Sequence, residues 1–326
     1  MKSGSNLERV ILSGNPAVTA ELGPPMSAAP DEIVHKAHIL KGFCDAANIT
    51  DCQTAVVRIS SIAAAFIAQR EGLEPVMQMT CRDRNRIAMQ ADLLGAAALG
   101  LKNCLCIAGD HQKFGAAGKL KGHPGAKNVY DVDTTQLVGI LKKMRDESLQ
   151  EGGDKIEVPP KFFIGATWTP MGDPMDFRPY NLKKKVDAGA EFIQTQGIYD
   201  MELFKSQCEK ARNLGVLENT ALLAGIIVPK SAMMLKYMDA NVSGVTVPKP
   251  LIDRMAKAKE AAGDDKKKAK QLQEEEGIKI TVELIHQALE IPGVKGVHIQ
   301  AIDWEPAIEI IVKAAGLYPR PNIPAE

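Results

Sequence analysis

No run of about 18 apolar residues occurs in this chain of 326, so no membrane-spanning helix is expected. The segment from Met1 to Arg9 is polar and lacks the apolar stretch of a secretory signal. Neither sign of charge is in excess. The 40 Lys and Arg balance 40 Asp and Glu, which removes the global electrostatic case for nucleic acid. The six cysteines, Cys44, Cys52, Cys81, Cys104, Cys106 and Cys208, form no C-x-x-C pair. They carry no zinc or iron–sulfur ligand set and read as free thiols of a cytoplasmic protein. His35 and His38 stand three apart on a predicted helix, with no third ligand nearby, so no metal site is expected. Neither G-x-G-x-x-G nor G-x-x-x-x-G-K-[ST] is present, and neither is H-E-x-x-H or G-x-S-x-G. Rossmann, Walker, zincin and α/β-hydrolase sites are therefore not indicated.

What is present is an alternation. Apolar residues make up 45% and charged residues 25% of the chain, an ordinary globular balance. Short β-rich runs are predicted at 18–21, 48–50, 75–80, 104–108, 162–167, 192–196, 221–228 and 294–302. Helical runs are predicted at 31–47, 60–70, 85–99, 134–145, 182–188, 201–214, 231–238 and 305–315. Eight strands alternating with eight helices is the count of a (β/α)8 TIM barrel. A doubly wound open sheet remains the alternative. The expected organisation is a single domain over 1–326. Two stretches absorb the excess over a barrel of roughly 250 residues. One is the Gly- and Lys-rich segment from His111 to Val129. The other runs from about 249 to 278 before the last strand, and its mixed charges read as an exposed helical excursion.

In such a barrel the chemistry lies at the C-terminal strand ends. Polar residues fall there repeatedly: Glu21, Thr50, Asp51, Gln78, Thr80, Gly109, Asp110, Thr169, Gln194 and Gln196. Two carboxylates, Glu21 and Asp110, are thus aimed at one mouth. Carboxylates in different environments can hold different protonation states, one an acid and one an anion.

These residues belong to longer segments. They are Thr19 to Pro25 (TAELGPP), Met79 to Arg86 (MTCRDRNR), Asp92 to Gly95 (DLLG), Ile107 to Asp110 (IAGD) and Val129 to Asp133 (VYDVD). Lys184 to Ala190 (KKVDAGA), Phe192 to Gln196 (FIQTQ) and Ala224 to Ile227 (AGII) complete the set. In this register the chain resembles the methylenetetrahydrofolate reductase family over nearly its whole length.

The resemblance implies a barrel that binds FAD or FMN and reduces methylenetetrahydrofolate to methyltetrahydrofolate. The reduction is a flavin-dependent hydride transfer to the iminium form of the substrate. Glu21 matches the family's general acid, and Asp110 its electrostatic stabiliser beside the flavin. Cofactor positions fall on Thr50, Gln78, Gly109, Asp110, Tyr130, Thr169, Asn181, Lys184 and Lys185. Substrate positions fall on Glu21, Asp110, Gln196 and Tyr199, and no metal is implied. The best-studied bacterial form differs at four places. It has Arg where Ala108 stands, His at Gln78, Gln at Leu235 and Arg at Trp304.

The segment from Cys81 to Asn85, with that around Asp110, is similar to the form of acetate-making anaerobes. That form implies a cysteine-rich iron–sulfur partner subunit as electron donor. NAD(P)H would then be used directly or through the partner, and an oligomer is expected. Two other readings stay open: a non-catalytic folate- or flavin-binding barrel subunit, and a flavin-free subunit handling methyltetrahydrofolate for a methyltransferase. FAD against FMN and the electron donor stay open as well.

Overall fold

In the computed structural model, residues 1–112 and 122–324 are described. The middle of the expected insertion from His111 to Val129 lies outside them. Eight strands form the centre: β1 Ala17–Leu22, β2 Ala46–Ile49, β3 Pro75–Thr80, β4 Asn103–Ile107, β5 Phe163–Trp168, β6 Phe192–Gly197, β7 Ala221–Ile227 and β8 Val294–Gln300. Each pairs in parallel with the next, and β8 closes on β1 with Val18 beside Val297. Closure excludes the open-sheet alternative, and the architecture is a (β/α)8 barrel.

Helices cover the outside. α1 (Asn6–Leu12) precedes the first strand. α2 (Asp31–Leu40), α3 (Ser61–Arg70), α4 (Arg86–Ala98), α5 (Thr134–Asp146), α6 (Arg178–Ala188) and α7 (Met201–Asn213) follow the first six strands. Three helices, α8 (Ala232–Asn241), α9 (Lys249–Glu260) and α10 (Lys266–Leu289), fill the connection from β7 to β8, and α11 (Ala307–Ala314) follows β8. Local chemistry starts many of them. Ser60, Asn85, Asp200 and Ser231 each accept an N–H of the first turn, and Asp133 forms a capping box with Gln136.

The strand interiors are layered. At the N-terminal end Ala17, Ala46, Val76, Leu105, Phe163, Phe192 and Leu223 pack with Leu7 and Val10 of α1, which plugs that end. Gly165 is required there, because a Cβ would collide with the Phe192 ring. The middle layer is polar, and the C-terminal end opens into a pocket. The outer strand faces pack on the helices in a second, larger core.

Three expectations need correction. The helix predicted from Asp31 to Ala47 ends at Leu40, and Ala46–Ile49 is strand. The chain reverses through Gly42 at φ +87°, and pairing with β1 and β3 overrides the helical preference of the alanines. The charged stretch from 249 to 278 is not wholly an excursion. It is helical, holding α9 and the start of α10, but Met255 of α9 is buried in the core, and beyond 278 α10 continues to Leu289 with Ile280, Leu284, Ile285 and Ala288 buried against the barrel. Seating it closely demands Gly277, where a Cβ would collide with the Pro229 carbonyl. Finally, the described residues hold eleven α-helices rather than eight, the plug α1 among the extra ones.

Candidate active site

A cavity of about 470 Å³ opens at the C-terminal ends of the strands. Alternation along parallel strands places residues two apart on the same face. Glu21, Thr50, Gln78, Thr80, Ile107, Thr167, Gln196 and Gln300 therefore converge from the ends of seven of the eight strands, all but β7, joined by Gly109, Asp110 and Thr169 from the loops.

Seven of the expected site residues line this one cavity: Glu21, Thr50, Gln78, Gly109, Asp110, Thr169 and Gln196. Tyr130 touches its wall, with its hydroxyl donating to the Gly109 carbonyl at 3.0 Å. Asn181, Lys184 and Lys185 lie on α6 behind the β5 end. Lys184 is placed over the Phe177 ring, 5.5 Å from its centroid. Lys185 donates to the Thr167 carbonyl at 2.5 Å, and burial, with the Arg178 charge, pushes its ammonium down to about 8. Tyr199 is not brought into the cavity. It is buried, and its hydroxyl donates to the Ile227 carbonyl at 2.8 Å.

Glu21 stands at the end of β1 above the polar layer. Burial pushes its carboxyl up to about 7, and the charge of Glu305 adds to the rise. Among the described residues its nearest basic group is His298 Nε2, 4.0 Å away. His298 is buried, and burial pushes its imidazole down to about 4, so it is neutral near pH 7.

A hydrogen-bonded chain holds that imidazole. Asn48 and Gln194 exchange two amide bonds at 2.6 and 3.0 Å, Gln194 donates to Thr19 Oγ1 at 3.2 Å, and Thr19 Oγ1 lies 3.0 Å from His298 Nδ1. The Thr19 hydroxyl also lies 3.4 Å from the Val297 carbonyl, and the other ring nitrogen, Nε2, is the one that faces Glu21. A short bridge runs beside it. Lys36 Nζ reaches Glu305 at 3.1 Å, Glu32 at 2.9 Å and the Gly23 carbonyl at 3.3 Å.

Asp110 is held differently. Its Oδ2 accepts from the Thr54 amide at 3.1 Å. Arg82 donates to its main-chain carbonyl at 3.0 Å and to the Cys52 carbonyl at 3.1 Å. Behind this, Arg84 pairs with Asp51 at 2.6 Å and Asp92 at 2.9 Å. The pocket thus presents one carboxyl whose proton affinity is raised by burial and another whose Oδ2 accepts a main-chain donor.

The donor set fits a flavin. Thr50, Gln78 and Thr169 offer hydroxyl and amide groups to a heteroaromatic edge, and Gly109 offers a wall without a side chain. At φ +85° its Cβ would press on Arg82 and Thr80 at 3.1 Å. Lys184 and Lys185 stand outside this lining, over the Phe177 ring and on the Thr167 carbonyl.

His298, Thr19, Glu305, Lys36 and Gln300 were not singled out from the sequence. A period-two reading of β8 would have put Gly296, His298 and Gln300 on one face. The partners across the barrel carry no local signal. Among the described residues no three His, Cys, Asp or Glu side chains gather as a metal site. His38 instead pairs with Glu71 at 2.8 Å. No helix is long and apolar enough to cross a membrane among them.

Comparison with known proteins places the chain. The chain is 26% identical over 249 residues to methylenetetrahydrofolate reductase 1 of Schizosaccharomyces pombe, covering 75% of this chain and 36% of that one. It is 24% identical over 267 residues to a probable methylenetetrahydrofolate reductase (NADPH) of Caenorhabditis elegans, covering 81% and 35%. It spans about a third of the length of these curated relatives. Among solved structures, a Clostridium thermocellum protein that binds two copies of 5-methyl-5,6,7,8-tetrahydrofolic acid superposes with TM-score 0.62. That match has 12% identity over 94% of this chain and 98% of that one, a likeness of fold. The family model for methylenetetrahydrofolate reductase matches residues 6–316, and the chain belongs to that family.

Proposed function

We propose that this chain reduces methylenetetrahydrofolate to methyltetrahydrofolate with a bound flavin, FAD or FMN. The observation that carries the reading is the pair of unlike carboxyl groups in one pocket. Glu21 is pushed up to about 7, and Asp110 is anchored by a main-chain donor.

The methylene bridge of the substrate is a poor hydride acceptor until its ring opens to an iminium cation. Opening needs a proton on the departing amine. Glu21 keeps a large fraction of its protons near pH 7 and supplies one, a contribution of about 10²–10⁴ in rate. His298, neutral and facing the carboxyl, adds no charge that would draw the proton off. Asp110, exposed at the mouth of the pocket, then places a carboxylate near the developing cation. Gln196 lines the same wall and offers both a donor and an acceptor to the pterin. Thr50, Gln78, Thr169, Gly109 and Tyr130 would hold the flavin ring, with Asn181, Lys184 and Lys185 toward its phosphate. When bound, the flavin supplies the hydride.

The test is anaerobic. The protein reconstituted with FAD or FMN is photoreduced and mixed with methylenetetrahydrofolate. The flavin band should return stoichiometrically with methyltetrahydrofolate, and Glu21→Gln should keep the flavin while losing the return by roughly a thousandfold. Retained turnover in that variant would remove the acid role. A protein that holds neither flavin would favour the flavin-free methyltetrahydrofolate reading instead. Reduction of the flavin by NADH or NADPH alone separates direct use of a nicotinamide from supply by an iron–sulfur partner subunit.

A further inference from the structure

The loop that meets Asp110 is strained. Three non-glycine residues within four positions take left-handed backbone: Cys52 at φ 47°, Thr54 at φ 57° and Ala55 at φ 57°. Each such conformation costs about 1–2 kcal/mol, so something outside the loop must fix it. The Thr50 hydroxyl donates to Gln53 Oε1 at 2.8 Å, which ties the loop to β2. Arg82 ties it to the rest of the mouth.

Arg82 is buried at the end of β3, with a side chain 3% exposed. Its guanidinium donates to the carbonyl of Cys52 at 3.1 Å and to that of Asp110 at 3.0 Å. Asp83 takes the remaining fork at 2.7 and 2.6 Å. The Arg82 amide donates to the Ala108 carbonyl at 3.0 Å, just before Gly109 and Asp110. The bonds close a ring. Arg82 holds the Asp110 main chain and Cys52; two residues beyond Cys52, the Thr54 amide holds the Asp110 carboxylate.

We infer that Arg82 is a positioning residue that sets the place and direction of the Asp110 carboxylate by clamping two loops to each other. The inference rests on the electrostatic role given to Asp110 above. Bidentate pairing with Asp83 neutralises the guanidinium locally, so its work is geometric. An ammonium could replace the charge but not reach two carbonyls and a carboxylate at once.

The experiment is a double-mutant cycle on the flavin-loaded enzyme. Photoreduced Arg82→Lys, Asp110→Asn and the double variant are mixed with methylenetetrahydrofolate in a stopped-flow instrument. The saturating rate of flavin return and the folate Kd are read separately. Arg82→Lys should lower the saturating rate by roughly 10–50-fold with a smaller change in Kd. The double variant should be no more than about twofold slower than Asp110→Asn, because the clamp then has no carboxylate to aim. A wild-type rate in Arg82→Lys overturns the inference. So does an equal loss from Arg82→Lys in both backgrounds, which would leave the Asp110 role standing. A wild-type rate in Asp110→Asn overturns the Asp110 role and the inference together. If Arg82→Lys does not fold, Asp83→Asn weakens the same clamp and decides the cycle by the same criterion, with an expected loss of about 3–10-fold.

Discussion

Glu8 and Glu21 are glutamates at opposite ends of one barrel, and their surroundings drive them in opposite directions. At the plugged end Glu8 accepts from the amides of Lys2, Ser3 and Gly4 and from the Ser3 hydroxyl, at 2.6 to 2.9 Å. Burial alone would raise its carboxyl, yet these donors outweigh it and hold the group below the ordinary glutamate value. At the open end Glu21 meets burial and the negative charge of Glu305 with no such donors, and rises to about 7. Burial and donors compete for a carboxyl's state: at Glu8 the donors win, and at Glu21 burial does. At the plugged end the Glu8 carboxylate is met by donors, and at the open end Glu21 keeps an unmet demand where a substrate would meet it.

The comparison can be broken or sharpened by three measurements. The largest effect is expected from Glu8→Ala, which leaves donors without their acceptor. It should destabilise the fold by about 3–4 kcal/mol at pH 7 in urea unfolding. Because the folded value is depressed, this stability is present above the unfolded value and is lost as pH falls through the folded one. The gap between variant and parent should therefore narrow below about pH 4.5. A gap that stays constant to pH 3 would break the comparison at the plugged end.

Glu21→Gln should do the reverse. The folded carboxyl binds its proton more tightly than the unfolded one. The parent therefore loses stability as pH rises from about 4.5 to 7 and the variant does not. Above pH 7 the variant should be the more stable by about 1–3 kcal/mol, and the two should coincide at pH 4. Equal stability at pH 8 would show that Glu21 is not the frustrated group.

The smallest effect belongs to Glu305→Gln. Glu21 is faced by neutral His298 from β8, and by Glu305 with its partner Lys36, itself paired with Glu32. Removing the Glu305 charge should lower the acid limb of the folate half-reaction by about half a pH unit to one. An unmoved limb would leave burial as the whole cause.

Much of the barrel was legible because strand and helix periods differ. β3 was read at its observed bounds, Pro75 to Thr80, and β6 within one residue. The end of α2 was not, since Ala46 and Ala47 carry no mark of a strand until β1 and β3 lie beside them. The start of α6 at Arg178 was missed although Pro179 is a common first-turn residue. At the site, strand-end position and resemblance together drew attention to Glu21 and Asp110. What surrounds them was hidden by distance along the chain. Thr19 meets His298 across 279 positions and Asn48 meets Gln194 across 146. No local pattern joins such pairs; only closure of the barrel does.

Gly277 also bears on how chains of this kind can diverge. A side chain there would lift the 24-residue α10 off the Pro229 carbonyl, and the α8–α9 segment would have to move with it. Fourteen residues earlier the constraint vanishes: at Gly263, between α9 and α10, a Cβ would meet nothing within 4 Å. Length can drift freely at one end of this helix while its depth is pinned near the middle. Among descendants, insertions and deletions in the excursion should accumulate before position 277 and be rare from there to β8.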